Sequence, residues 1–208
     1  MASSTSTYTI LTSAKGVEGS IKYWANHDLI PAAQCLEEAQ AWVYQRLRVR
    51  EMIVRTPLAL SASDETIDLD ATAPGFQQPI RLKLDGYGKL EYKCEENFPD
   101  DRDSDGELPS GPPSCWTVIG TLIHLDTKLS AAMNGDIWYY GTPDALAAGN
   151  QTNFLTDKYP TLLRHACLAR AYASRNRADM VTIEETLAMA EINKANATND
   201  DHRFGQGI

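Results

Sequence analysis

The hydrophobic period of this chain changes twice, and that change limits the folds open to it more than any other feature. Ala32, Leu36, Ala39, Val43 and Leu47 recur at spacings that place them on one face of an α-helix. From Met52 onward the period shortens to two. Ile80, Leu82 and Leu84 alternate with Arg81 and Lys83, as a half-buried strand requires. The runs 52–56, 58–60, 66–69, 89–92, 115–119, 121–125 and 136–140 are also β-like, and Pro57, Gly86, Gly88 and Gly120 punctuate them. Asn134 and Gly135 stand before the last run, and this pair is a strong hairpin-turn signal. Beyond Tyr159 the helical period returns. Tyr159, Leu162, Leu163, Ala166, Ala169 and Ala173 mark one face of a helix, and Met180, Ile183, Leu187 and Ala190 mark a face of the next.

Helices, then strands, then helices predict an α+β protein, an antiparallel α-helical bundle with a β-rich insertion between the second and third main helices. The expected divisions are an N-terminal tail over 1–11, a bundle core over 12–49 and 142–195, the insertion over 50–141, and a C-terminal tail over 196–208. Within the bundle, 12–27 reads as a short helix with Val17, Ile21 and Trp24 on one face, weakened by Gly16 and Gly19. Within the insertion, 95–114 reads as an exposed loop. Its first part holds Glu95, Glu96, Asp100, Asp101, Asp103, Asp105 and Glu107 against Arg102 alone, and prolines and glycines extend it.

The 208 residues carry a formal net charge of −9, which argues against a protein that reads nucleic-acid sequence. No apolar run approaches the ~20 residues that span a bilayer, and the first residues have neither the basic nor the apolar part of a signal peptide. Cys35, Cys94, Cys115 and Cys167 form no CxxC pair, so free thiols are expected rather than a zinc site. No nucleophile elbow, phosphate loop or zinc-protease motif occurs, and His27, His124, His165 and His202 are dispersed. Neither an enzyme nor a cofactor is expected.

Asp101, Asp103, Asp105 and Gly106 follow the opening of a calcium-binding loop, but the twelfth position, where a bidentate glutamate belongs, is Pro112. A solvated acidic loop is the better reading, with a cytoplasmic calcium- or ligand-binding module as the alternative. Arg46, Arg48, Arg50 and Arg55 cluster at the end of the first strong helix. They either complement the helix C-terminus or form an ion-pair patch toward a neighbouring subunit.

Several segments in order resemble a known family. Tyr8 to Leu11, Ile21 to Asp28 with Trp24, Ile30 and Pro31 before a helix, and the run Arg46 to Met52 resemble the N-terminal half of tailed-bacteriophage head–tail connector adaptors. Trp116 to Gly120, Leu122 to Leu125, Ile137 to Tyr140, Leu146, Thr152 to Thr156 and Tyr159 to Leu163, followed by an alanine-rich helix and a long last helix, are similar to its C-terminal half. The resemblance implies a non-enzymatic virion component at the head–tail interface, made in the host cytoplasm. It implies a ring, commonly of twelve copies, beneath the portal protein. Such a ring extends the DNA channel, lets genomic DNA pass without specific binding, and docks the next tail or nozzle/stopper protein, with no membrane involved. A neck stopper or tail-completion protein is the alternative within the same particle. On this reading the interface residues are Arg46, Arg48 and Arg50, then Ala166, Ala169 and Ala173 for close helix approach, and Phe204 and Ile208 as anchors on the portal.

Overall fold

The computed structural model describes residues 7–99 and 101–204, the last five of these as helical backbone. It is an α+β protein whose described residues form seven α-helices and two four-stranded sheets. The chain divides into two compact units, one made of the chain up to Glu51 and from Pro143 on, the other of Met52–Thr142.

The first unit is helical. It contains α1 (Tyr8–Leu11), α2 (Ile21–Trp24), α3 (Ala32–Arg46), α5 (Phe154–Lys158), α6 (Pro160–Ala173) and α7 (Ala178–Phe204), with α4 (Leu69–Thr72) falling in the other unit. Helix α6 lies at the centre and packs against α2, α3 and α7. Leu36, Ala39, Val43 and Leu47 from the α3 segment and Leu162, Leu163, Ala166, Cys167 and Ala169 from α6 are buried. The helix ends are chemically closed. Thr7 caps α1, Ser20 caps α2, and Asn153 with Thr156 forms a capping box on α5. Pro160 opens α6 at a position where no N–H is needed.

Three expectations give way here. The segment 12–27 is not one helix; its helical part is α2, and Gly19 at φ +91° takes a conformation an L-residue rarely adopts. Part of the expected N-terminal tail is folded as α1, with Leu11 fully buried. The last helix does not stop at 195 but continues to Phe204. The Asn, Thr and Asp residues of 196–201 are poor helix formers. Tertiary contact outweighs that preference: Asn196 Oδ1 accepts from the Arg48 N–H at 2.7 Å, and its Nδ2 donates to the Arg46 carbonyl at 3.1 Å. One side chain thus closes the C-terminal end of α3.

The second unit carries both sheets. The strands are β1 (Ile53–Leu60), β2 (Thr66–Asp68), β3 (Phe76–Leu84), β4 (Gly88–Lys89), β5 (Glu91–Tyr92), β6 (Cys115–Ile119), β7 (Leu122–Leu125) and β8 (Met133–Gly141). One sheet has the order β1-β8-β3-β4 and is antiparallel throughout; the other has the order β2-β7-β6-β5, with β5 and β6 parallel. Leu58, Leu82, Leu84, Ile137 and Tyr139 from the first sheet and Ile67, Trp116, Ile123 and Leu125 from the second share one apolar core. Pro57 sits inside β1 because β1 is an edge strand, where a missing N–H costs no ladder bond.

Asn134 and Gly135 do not form a turn; both lie within β8. The acidic loop is exposed from Asp101 to Glu107 but internally tied. Asp103 Oδ1 accepts from the Asp105 and Glu107 N–H groups at 2.9 Å each, Arg102 reaches Glu65, and Lys128 pairs with Glu107.

Candidate functional site

In the helical unit a cleft of about 290 Å³ is lined by Val49, Arg50, Glu51, Lys158, Tyr159, Ala195, Thr198 and Asn199. Glu51 is its electrostatic centre, paired with Lys158 and, at 3.3 Å, with Arg50. Burial works to raise the Glu51 carboxyl above its ordinary pKa of 4.5. Hydrogen bonds from Lys158, its own backbone and Arg50, together with the Lys158 charge, outweigh burial and hold it below that value. A carboxyl depressed by folding contributes stability that is complete above its unfolded pKa and is lost as pH falls through the folded one. The wild-type chain is therefore expected to lose more melting temperature than Glu51→Gln between about pH 6 and about pH 3. Parallel melting curves for the two proteins over that range would refute the assignment.

Two thiols and a phenol in this unit are held protonated by burial. Burial, and then the Glu38 charge, push Cys35 up to about 11, and burial pushes Cys167 higher still. Tyr44 is raised to about 12, mainly by burial and against the lowering effect of its bond from Asn153. All four cysteines are free.

The residues singled out from the sequence separate into three groups. Arg46 and Arg48 serve the end of α3. The Arg46 guanidinium lies 4.5 Å over the Trp42 ring and donates to the Trp42 carbonyl at 3.0 Å, and Arg48 donates to the Tyr44 and Leu47 carbonyls. Arg50 is exposed at the cleft. Ala166 and Ala169 are 2% and 0% exposed within the chain's own helical core, which leaves them no surface to offer a neighbouring copy; Ala173, by contrast, is exposed. The Phe204 side chain and Ile208 lie outside the described residues.

The surface that sequence reasoning missed is the outer side of α7. Its buried side is Glu184, Ala188, Ile192 and Ala195, anchored to α6 by His165 Nδ1 at 2.6 Å from Glu184 Oε2 and by Arg170 to Glu185. The stronger apolar row faces out. Ile183 is 52% exposed and Leu187 43%, Ala190 is exposed and Met180 half-buried. The 3-4-3 spacing showed this row plainly, but nothing in it told which side another molecule would cover.

In the β unit the outer side of the first sheet gathers cations around one indole. The register sets Arg55 on β1 and Arg81 on β3 on either side of Trp138 on β8. The Arg81 guanidinium lies 3.8 Å over the Trp138 ring and that of Arg55 5.3 Å. Asp136 accepts from Arg55 in two bonds of 2.8 Å, and these hold its carboxyl below the usual range. Among the described residues no group of three or more His, Cys, Asp or Glu side chains is placed to hold a metal ion, and no helix is long and apolar enough to cross a membrane.

A helical unit with an uncovered apolar row and a β unit with a charged open face are the equipment of a protein that works by joining others. Residues 12–206 match the family described as SU10 adaptor protein, and the chain belongs to that family. It is a phage head–tail adaptor family, whose members are typically structural and whose role implies contact with portal and tail proteins in the virion. No curated protein matches the chain.

Proposed function

We propose that this chain is a head-to-tail adaptor that assembles as a ring beneath the portal, extends the DNA channel and docks the next neck or tail component. The observation that carries the reading is the uncovered row Met180, Ile183, Leu187 and Ala190 on α7. Its 3-4-3 spacing is that of a helix–helix seam, and a monomer has little reason to leave it wet. Membership in an adaptor family supplies the partner class. A net charge of −9 suits a conduit that lets DNA pass, because a basic lumen would release counterions and hold it. The cleft beside Arg50, the exposed Ala173, and Phe204 with Ile208 are further contact points on this reading. The helical frame, with the β unit inserted between α3 and α5, is then the body of each ring subunit.

Replacing both Ile183 and Leu187 by Lys tests this. Both side chains are exposed, so the monomer should melt within about ±0.5 kcal/mol of wild type. The mass of the species assembled with the portal protein should fall to that of unassembled chain. Assembly equal to wild type would overturn the assignment of the seam.

A further inference from the structure

We infer that neighbouring copies are also joined through their β units, the basic face of one sheet receiving the acidic loop of the next copy. The inference rests on the ring reading above and adds to it the chemistry of a second contact.

The register of β3 and β4 sets Lys83 directly opposite Lys89 on the outer face of the sheet. Like charges so placed repel. Arg81, two residues along, shares that face, and its Nε is buried with no hydrogen-bond partner among the described residues. On the other side of Lys83 stands Asp136, but both its oxygens are held by Arg55. None of Arg81, Lys83 and Lys89 has an ion-pair partner among the described residues. The face is therefore a local excess of positive charge on a negative chain: Arg55, Arg81, Lys83 and Lys89 surround Asp136, whose carboxyl also feels the Lys83 and Arg81 charges.

The matching anion is on the same chain. Glu95, Glu96, Asp101 and Asp105 are exposed carboxylates without an ion-pair partner among the described residues. The segment that carries Asp101 and Asp105 is tied into shape by Asp103, and by Arg102 and Lys128 through Glu65 and Glu107, while Glu95 and Glu96 sit on the short 3-10 turn Glu95–Asn97. A preformed acidic loop and a preformed basic face on different parts of one chain define a heterologous contact, which repeats from copy to copy and closes into a ring when the rotation allows. Carboxylates fit this face better than nucleic acid does. Trp138 is already stacked by its own arginines, so a base would have to displace them to stack on it.

The test uses full-length chain, half of it isotopically labelled, mixed with the portal protein and treated with a carbodiimide that joins lysines to carboxylates in contact. The expected products are mixed-isotope peptide pairs linking Lys83 or Lys89 to Glu95, Glu96, Asp101 or Asp105. Replacing Lys83 and Lys89 by Glu should weaken assembly at least about tenfold, with a steep salt dependence in the wild type. Adding Asp101→Lys and Asp105→Lys should restore it. If rings form but the mixed-isotope links lie elsewhere, this contact is wrong and the ring reading stands. If no assembled mass appears with the portal, both fail. If the lysine variant assembles normally but loses binding to a 20-base-pair DNA probe, the face serves nucleic acid and the inference is overturned.

Discussion

Gly135→Ala is expected to destabilise the protein by about 3 kcal/mol, the upper end of what overpacking usually costs. The reason is space. A Cβ at Gly135 would lie 2.5 Å from the Lys83 carbonyl oxygen and 2.6 Å from Leu84 Cδ2. The carbonyl belongs to the backbone of β3, which runs between β8 and β4, so it cannot swing aside like the tip of a long side chain. Gly135 is paired with Leu84 on one side and Leu58 on the other, and both leucines belong to the core between the sheets. Relief must come from parting strands or shifting that core. Denaturant unfolding of the variant measures the cost. An unchanged midpoint would mean that β8 and β3 pair in a different register.

Ala169→Leu should cost ~1–3 kcal/mol by the same mechanism in the other unit. Ala169 is fully buried on the helix that packs against both α3 and α7, and an isobutyl group there has to push one of them away. The control is Ala173→Leu, one turn further along α6 and exposed, where a change within about ±0.5 kcal/mol is expected. Comparing the two melting temperatures separates the buried alanines from the exposed one. Equal losses would contradict the assignment of the helix faces.

How much could be read in advance followed from whether neighbours along the chain or across it decide the outcome. The alternation of Leu82, Lys83 and Leu84 and the row Leu36, Ala39, Val43 and Leu47 are local patterns, and both appear on the expected faces. Over 79–81 the expected alternation gives way, because the pairing with β8 shifts there and leaves Ile80 half-buried. Asn134 and Gly135 carry a local turn signal, yet the glycine is there for a strand arriving from fifty residues earlier. On α7 the spacing located a helix and its apolar row, but not which side of the helix is buried. Burial favours Glu184, Ala188, Ile192 and Ala195, because the acid meets His165 and the small residues let α6 approach. The arginine–indole–arginine stack needs the register of three strands to bring positions 55, 81 and 138 together, and spacing along one chain holds no trace of it.

The bridge from Asn196 to the end of α3 sets an order of events during synthesis. The carbonyl of Arg46 and the N–H of Arg48 must wait for a residue made 148 positions after the latter. The β unit is continuous from Met52 to Thr142 and has all its strands long before Asn196 leaves the ribosome. Domains generally fold as units as they emerge. The β unit thus reaches its final form while α3 is still an open-ended helix, and the helical unit closes only when α7 arrives. A nascent chain stalled just short of Asn196 would display finished sheets beside a helical half that is not yet sealed.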